Sequence, residues 1–434
     1  MIVIKNGTII DPASNLEAEL DLLIKDGLVE AIERPGSFAK MDLETTIDAT
    51  GMWVTPGLID LHVHLREPGF EWKETIRSGA EAAVLGGFTS ICAMPNTQPA
   101  NDSAEVTKFV LERARDAALA RVHPIGAVTV GRAGTQLAPF SELRKAGCVA
   151  FSDDGDPVAN AGLMRRALEW CLMLDGVIAC HEEDKSLSAC GDMNESSLSV
   201  RLGLKGWPKV AEEVLIARDI ELARATGARV HICHLSTARG VELVRRAKND
   251  GIRLSAEVTP HHLVLTEQAV AEYNTDAKMS PPLRELADLE ALHVGLQDGT
   301  IDAIASDHAP HEHDSKNLEF GKAAMGILGL QTSLPLLVDF VHRGTISRKR
   351  LVEAFSCGPA KVFGLDAGSL ARGKVADLVV IDPRKRWSFD RKIVRSKSFN
   401  SPFLGRELVG AADCVMVGGR IVVRGGVVRG GVLV

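Results

Sequence analysis

The chain has 434 residues, of which 45% are hydrophobic and 25% are charged, and its formal net charge is −7 at pH 7. This length suffices for one large domain and a smaller unit without covalent cross-links. The negative charge offers no field for a polyanion, so we expect no nucleic-acid partner. No apolar run reaches the roughly 18 residues of a membrane span, and the first residues lack a basic segment followed by an apolar one. We therefore expect no membrane association and a cytoplasmic location.

Both ends of the chain contain short β-rich runs separated by turns. The runs are 2–4, 7–10, 21–25 and 28–32 near the start, and 376–381 and 415–423 near the end. Neither end has enough strands to enclose a core of its own. We predict that residues 1–53 and 366–434 pair with each other into one small β-sandwich.

Residues 54–365 alternate short apolar strands with amphipathic helices. The predicted strands are 54–62, 88–93, 122–128, 148–152, 177–181, 229–234, 252–258 and 301–305. Eight such units close a (β/α)8 barrel of the TIM type. A doubly wound open sheet would use the same α/β units, and the strand count favours the barrel.

The eight cysteines are scattered, and no Cys-x-x-Cys pair indicates a zinc knuckle or a redox motif. We expect most of them to be reduced, buried, small apolar side chains. A bound metal would then need histidine and carboxylate ligands.

Histidines and aspartates gather at the C-terminal ends of the predicted barrel strands. In a barrel these ends converge on one face, where barrel active sites are built. Four imidazoles and two or more carboxylates in one basin are consistent with a two-metal site. The residues at the strand ends are His62, His64, Asp153, Asp154, His181, His234 and Asp307.

Period-two alternation selects among some of these neighbours. It points His62 and His64 to one face, a spacing that suits chelation, and turns Val63 towards the helices. It also implies that Asp153 and Asp154 cannot both point inward, without choosing between them. The pair could instead only shape a turn.

In the sixth strand, alternation places His231 on one face with Cys233 and His234 on the other. His234 is nearer the C-terminal end, so we predict that it faces the metals and that His231 packs against the helices. His261 and His262 lie beyond the seventh strand and are left out of the ligand set.

Two longer stretches then identify a family. Residues 60–69, Asp-Leu-His-Val-His-Leu-Arg-Glu-Pro-Gly, and residues 305–311, Ala-Ser-Asp-His-Ala-Pro-His, with Lys316 shortly after, resemble the two signatures of the dihydroorotases. The chain is similar to the bacterial class I type within the amidohydrolase superfamily. Further matching segments are 88–90, 94–97, 151–155, 180–184 and 371–382.

The resemblance implies one or two zinc ions per chain. It places Asp154, not Asp153, in the bridging position, where relatives often have a carboxylated lysine. It also implies that Arg66, Asn96 and His311 hold the substrate beneath a loop that follows Lys316. The implied ligands are His62, His64, Asp154, His181, His234 and Asp307.

Two positions depart from the family pattern. Class I members commonly have Asn where this chain has Ser280, and many have Phe-Gly where it has Met325-Gly326. Both positions touch substrate in the family, so Ser280, Met325 and Gly326 are expected substrate contacts. Because of these two departures, the sequence does not determine which cyclic amide is the substrate.

The implied activity is the reversible hydrolysis of dihydroorotate to N-carbamoyl-aspartate in de novo pyrimidine biosynthesis. Asp307 is the candidate that takes the proton of the attacking water and passes it to the departing nitrogen. Arg66 follows His62 and His64 at the same period of two, so it should point into the same basin. There its guanidinium suits a ring carboxylate.

Two other functions use the same features. An allantoinase or hydantoinase would share the metal site but would not need the carboxylate contact. A catalytically silent dihydroorotase-like partner of aspartate transcarbamoylase would usually have lost metal ligands, and this chain keeps all of them. We expect a homodimer, with an aspartate transcarbamoylase as a candidate partner.

Overall fold

The computed structural model describes residues 1–429, and the last five residues of the predicted C-terminal part lie outside that range. In chain order the described strands are β1 (Ile2–Asp11), β2 (Leu16–Lys25), β3 (Leu28–Glu33), β4 (Thr45–Asp48), β5 (Trp53–Pro56), β6 (Leu58–Val63), β7 (Phe88–Ala93), β8 (Arg121–Gly126), β9 (Ala150–Phe151), β10 (Ile178–Cys180), β11 (Met193–Asn194), β12 (Gly206–Trp207), β13 (Val230–Ile232), β14 (Leu254–Val258), β15 (Ala303–Ile304), β16 (Leu378–Ser388), β17 (Glu407–Val417), β18 (Arg420–Arg424) and β19 (Val427–Val428).

Most helices lie between successive strands of the central sheet. In chain order the described α-helices are α1 (Ile76–Leu85), α2 (Ala104–Ala117), α3 (Phe140–Ala146), α4 (Ala161–Met173), α5 (Lys185–Ser188), α6 (Ser197–Leu202), α7 (Val210–Thr226), α8 (Ala238–Asn249), α9 (Pro260–Val264), α10 (Leu286–Gln297), α11 (His313–Lys316), α12 (Ser333–His342), α13 (Arg348–Phe355) and α14 (Cys357–Phe363).

The central sheet consists of eight parallel strands in chain order, β6 to β10 followed by β13 to β15. Its two edges meet through a bridge between Val63 and His308. The Asp60 carboxylate strengthens this closure, because Oδ1 accepts the backbone N–H of Ser306 at 3.0 Å. The predicted (β/α)8 barrel is confirmed, and the open-sheet alternative is wrong.

Side chains that alternate along the barrel strands divide between two cores. Ile59, Cys92 and Ala179 point inward and share a core with Phe363 of α14. Their neighbours, such as Ile91, point outward and join the core of the surrounding helices. Because the interior is filled by side chains, the C-terminal ends of the strands are the place for a polar site.

The first predicted barrel strand, 54–62, is wrong in one respect, because it covers two strands of different sheets. β5 pairs with β1 and β16, whereas β6 enters the barrel. The break is at Gly57, where an added Cβ would lie 2.0 Å from Thr89 Oγ1. The whole stretch 53–63 is buried, so its hydrophobicity shows no boundary between the strands.

The two chain ends form one sheet of nine strands, ordered β19-β18-β17-β16-β5-β1-β2-β3 with β4 also paired to β1. The ends meet where Val54 of β5 is opposite Val380 of β16. Ile9, Leu22, Val54, Val380 and Met416 share the enclosed core. The predicted pairing of both ends is confirmed, and the boundaries 1–53, 54–365 and 366–434 stay predictions.

Two expectations from composition can be compared with the structure. Within residues 1–429, no helix combines the length and the apolar character needed to cross a bilayer. All eight cysteines are free thiols, six of them buried, with Cys357 half-buried and Cys190 exposed. The cysteines therefore behave mainly as small core residues.

Candidate active site

The six predicted metal ligands lie together at the C-terminal face of the barrel, at the end of β6, β9, β10, β13 or β15 or within three residues after it. None is more than 6% exposed. His62, His64 and Asp307 form one group whose ligand atoms lie within 4.8 Å of one another, and His62, Asp154 and His234 form another. Residues from five strands are thereby brought into one buried cluster.

Asp154 lies at the centre of this cluster. Its Oδ1 is 3.3 Å from His62 Nε2 and 3.6 Å from both His181 Nδ1 and His234 Nε2. Its Oδ2 is 3.6 Å from His64 Nε2. The two oxygens of one carboxylate thus face different histidines, which is the geometry of a bridging ligand.

Asp153 has a different environment. Its Oδ1 accepts the backbone N–H groups of Val128 at 2.8 Å and Thr129 at 3.1 Å, and its Oδ2 accepts the Thr129 hydroxyl. Asp153 therefore holds the loop after β8, and the two neighbouring carboxylates point to different sides as alternation required.

Two carboxylates missed by the sequence analysis orient histidines of the cluster. Glu257 Oε1 lies 2.9 Å from His62 Nδ1, and Glu183 Oε2 lies 3.1 Å from His181 Nε2. A carboxylate that takes the ring N–H leaves the lone pair on the other nitrogen, which here faces Asp154. In the sequence, Glu257 is marked by being a charged residue inside the apolar strand β14. Glu183 is marked by its position two residues after His181.

Asn96 orients the imidazole ring of His64. Its Oδ1 lies 2.9 Å from His64 Nδ1, and its Nδ2 lies 3.4 Å from Asp154 Oδ2. The amide therefore turns His64 Nε2 towards the cluster, where it lies 2.9 Å from Asp307 Oδ1. Asn96, predicted only as a substrate contact, also orients a predicted ligand.

The prediction that His231 packs against the helices is wrong. His231 points into the barrel, with Nε2 3.0 Å from Glu257 Oε2 and Nδ1 2.9 Å from Ser255 Oγ. Alternation failed here because β13 ends at Ile232 and His234 has a φ of 33°. Once the backbone leaves the extended conformation, both histidines can face inward.

The cluster has the properties of a metal site. Within the described residues, His62 Nε2 and Asp154 Oδ1 are buried without a hydrogen-bond partner, although they lie only 3.3 Å apart. Metal–ligand bonds of about 2.0–2.1 Å in a tetrahedron would separate two N or O ligands by roughly 3.3 Å. Converging lone pairs at this spacing fit a divalent ion, and imidazole with carboxylate is a suitable donor set.

The two carboxylates of the cluster are ionised at neutral pH. Burial raises the pKa of Asp154, but the surrounding side chains of His62, His181 and His234 bring it well below the usual range. Burial also raises the pKa of Asp307, and His62 and His64 lower it below the usual range. Two carboxylate charges are therefore present to balance bound cations.

A cavity of about 190 Å³ opens beside the cluster. Five of the six predicted substrate contacts line it, namely Arg66, Asn96, Ser280, His311 and Met325. Gly326 is the exception. An added Cβ there would be 2.5 Å from Ala309 O and 2.8 Å from His311 Cδ2, so the backbone approaches these two residues closely. A contact between Gly326 and the substrate stays a prediction.

Arg66 and His311 form one wall of this cavity. Arg66 Nε donates to Pro310 O at 3.2 Å, and its Nη2 lies 3.3 Å from His311 Nε2. Burial lowers the pKa of Arg66 to about 10, although Asp307 and Asp154 oppose this, so the guanidinium stays charged at neutral pH. The wall therefore offers a cation to an anionic group of a ligand.

Comparisons with known proteins agree with this site. Residues 51–240 match the dihydro-orotase-like family and residues 184–423 match the amidohydrolase family. The chain is 50% identical over 423 residues to a dihydroorotase of Pelobacter propionicus, covering 98% of this chain and 99% of that protein. A dihydroorotase of Anaeromyxobacter dehalogenans is also 50% identical, over 428 residues, with coverage of 97% and 98%. Among solved structures, the L-hydantoinase (dihydropyrimidinase) from Arthrobacter aurescens aligns with a TM-score of 0.87 and 27% identity, covering 99% of this chain and 97% of that one. The chain belongs to the dihydroorotase family of amidohydrolases.

Proposed function

We propose that this chain catalyses the reversible, zinc-dependent hydrolysis of dihydroorotate to N-carbamoyl-aspartate. The observation that carries the proposal is the Arg66–His311 wall beside the buried histidine–carboxylate cluster, with side-chain nitrogens 3.3 Å apart. A guanidinium suits the ring carboxylate that dihydroorotate has and simple hydantoins lack. The cavity of about 190 Å³ is smaller than the roughly 300–1,000 Å³ typical of drug-sized ligands and suits one small ring.

In this proposal zinc is held by the six clustered residues as one or two ions per chain. His62, His64 and Asp307 would hold one ion and His181 and His234 a second, with Asp154 shared because its two oxygens face different histidines. When bound, zinc supplies a Lewis acid that lowers the pKa of water towards about 7 and polarises the amide carbonyl.

Asp307 is the proposed proton carrier. It lines the cavity, and its Oδ1 is 2.9 Å from His64 Nε2. Its pKa is lowered below the usual range, against the effect of burial, by His62 and His64, so the carboxylate is in the form that accepts a proton. It would take the proton from the attacking water and pass it to the departing ring nitrogen. Ring closure uses the same steps in reverse.

The loop after Lys316 is proposed to cover the bound ring. Lys316 Nζ donates to Ala324 O at 2.8 Å and to Gly326 O at 3.2 Å, which ties the loop to α11. Met325, between those two carbonyls, lines the cavity. Met325 and Ser280 are therefore the positions at which we expect this chain to differ from relatives in substrate fit.

The alternatives have less support. Two hydantoinases and a dihydropyrimidinase of known structure are 25–27% identical to this chain, whereas the dihydroorotase of P. propionicus is 50% identical to it. A catalytically silent partner of aspartate transcarbamoylase would have no reason to keep all six clustered ligands. Homodimer formation, association with an aspartate transcarbamoylase and a cytoplasmic location stay predictions.

The proposal is tested by the substrate preference of the zinc-loaded protein. Dihydroorotate, hydantoin and allantoin are supplied separately, and hydrolysis is followed as kcat/KM. A contact between a hydrogen-bond donor and a charged group is worth about 1.5–3 kcal/mol, so we expect dihydroorotate to be favoured by roughly 10- to 150-fold or more. Preference for hydantoin or allantoin would contradict the proposal, and no hydrolysis of any ring would favour the silent partner.

The carboxylate contact is tested by Arg66→Lys. We expect KM for dihydroorotate to rise by an amount equivalent to about 1–3 kcal/mol, because lysine keeps the charge but loses the planar pair of donors. The matched control is Arg121→Lys, since Arg121 binds Asp377 at the opposite end of the barrel strands. An unchanged KM for Arg66→Lys would remove Arg66 from the substrate site and restore the hydantoinase alternative.

A further inference from the structure

A line of hydrogen bonds runs from His62 into the barrel interior, away from the catalytic cavity. Glu257 Oε1 lies 2.9 Å from His62 Nδ1, and Glu257 Oε2 lies 3.0 Å from His231 Nε2. His231 Nδ1 in turn lies 2.9 Å from Ser255 Oγ. His62, His231 and Glu257 are fully buried. A predicted metal ligand is thereby connected through two buried side chains to Ser255.

The strand register places these side chains in line. Ser255 and Glu257 are two residues apart in β14 and share its inner face, and His231 of β13 is directly opposite Ser255. Ser255 lines a cavity of about 530 Å³ at the N-terminal ends of the strands, whereas other residues line the catalytic cavity. His231 is therefore on the far side of His62 from the substrate space, and any effect it has on the site must pass through Glu257.

The donors and acceptors along this line agree with one another. An ionised carboxylate only accepts hydrogen bonds, so each imidazole has its N–H on the nitrogen that faces Glu257, Nδ1 of His62 and Nε2 of His231. His62 Nε2 then keeps its lone pair for a metal. At the other end the Ser255 hydroxyl donates to the unprotonated Nδ1 of His231. Every contact pairs one donor with one acceptor.

His231 is itself held on two sides. Besides the bond to Ser255, its ring packs edge-on against Phe363 of α14, with ring centres 5.7 Å apart and planes at 78°. Within residues 1–429, the side-chain hydrogen-bond partners of Glu257 are His62 and His231. A fixed His231 therefore fixes one oxygen of the carboxylate whose other oxygen orients His62.

We propose that His231 is a positioning residue that holds the Glu257 carboxylate against His62 and thereby sets how tightly the site binds zinc. This inference rests on the proposed function, in which His62 is a zinc ligand. Without His231, Glu257 Oε2 would be a buried acceptor without a partner, and the carboxylate would relieve this by turning away from His62. His62 would then lose both the orientation of its ring and the negative charge that makes it a stronger ligand.

Variants at position 231 separate the hydrogen bond from the volume of the side chain. His231→Leu fills similar space without a donor. His231→Gln and His231→Asn both carry an amide, but only the longer glutamine reaches Glu257 with an N–H. The control is His123→Leu, which makes the same change in barrel strand β8, where His123 lines a separate cavity beside α2.

The measurement is the zinc dissociation constant of the full-length protein, obtained by competition with a chelator. Side chains that orient metal ligands are usually worth roughly 10- to 100-fold in metal affinity, so we expect about tenfold weaker binding in His231→Leu and His231→Asn. His231→Gln should recover most of the affinity, and His123→Leu should resemble the wild type. Unchanged zinc affinity in both His231→Leu and His231→Asn would overturn the inference, as would equal losses in His231→Gln and His231→Asn.

A double-variant cycle tests whether His231 acts through Glu257. Glu257→Gln keeps an oxygen for His62 Nδ1 but removes the charge, so it should weaken zinc binding by itself. Adding His231→Leu to Glu257→Gln should then change the dissociation constant less than about twofold. A full further tenfold loss would mean that His231 supports the barrel in general, which overturns the inference. A wild type that binds zinc but does not hydrolyse dihydroorotate would contradict the proposed function, while the zinc affinities would still decide the role of His231.

Discussion

Asp307→Asn is expected to lower kcat by roughly 10²- to 10⁴-fold in protein that still holds metal, the usual contribution of general acid–base catalysis. Asparagine keeps the size and shape of the side chain beside His64 Nε2, which lies 2.9 Å from Asp307 Oδ1, and can still coordinate through its oxygen. It cannot take a proton from water and release it to the ring nitrogen. The measurement is kcat at matched zinc content, because a loss of metal would otherwise imitate a loss of proton transfer.

The control for this variant is Asp302→Asn, at the opposite end of the same strand. Asp302 Oδ2 accepts from Lys248 Nζ at 2.6 Å and from the Ala256 backbone N–H at 2.8 Å, away from the cavity. We expect its kcat to be close to that of the wild type. If Asp307→Asn loses less than about tenfold, equivalent to roughly 1.4 kcal/mol, Asp307 is not the proton carrier.

The barrel could be predicted from sequence because each of its strands is a short apolar run between helices. Phe88–Ala93 was predicted to the residue. Strands that carry site residues are shorter than predicted, as with β15, which covers Ala303–Ile304 where 301–305 was predicted. The backbone leaves the strand before the functional residue, and Asp307 has a φ of 44°. Such departures from extended geometry are not visible in hydrophobic patterning.

Period-two alternation correctly predicted which side chains of the motif from His62 to His64 face the cluster. Val63 joins the outer core while His62 and His64 face the cluster, as alternation predicted. The same rule was wrong for His231, because β13 had already ended before His234. The rule thus held at His64, one residue beyond β6, and failed at His234, two residues beyond β13, where φ is 33°.

The orienting residues could not be predicted because their contacts depend on closure of the barrel. Glu257 reaches His62 across 195 positions of sequence. Nothing local to Glu257 indicates that partner. Family resemblance identified the clustered histidines and aspartates, whereas the hydrogen bonds that fix their tautomers required the three-dimensional structure.

Asp154→Asn is expected to lower zinc content and activity together. Asp154 Oδ1 is buried without a hydrogen-bond partner in the described residues, and its two oxygens face His62 and His64 on different sides. A neutral amide cannot balance two cations as a carboxylate does, and its NH2 group would direct hydrogens at a metal or at a histidine lone pair. The measurements are zinc per chain after dialysis and hydrolysis of dihydroorotate by the same sample.

Asp153→Asn is the matched control, since it makes the same change one residue away. Asp153 accepts from the backbone of Val128 and Thr129 and from the Thr129 hydroxyl, and asparagine can replace only part of these bonds. We expect normal zinc content with a free energy of unfolding lower by about 1–3 kcal/mol, the cost of leaving a buried polar group unpaired. Similar, mild effects of both variants would mean that Asp154 only shapes the turn after β9. A loss of zinc confined to Asp154→Asn separates the two carboxylates, because only the one surrounded by histidines then holds the metal.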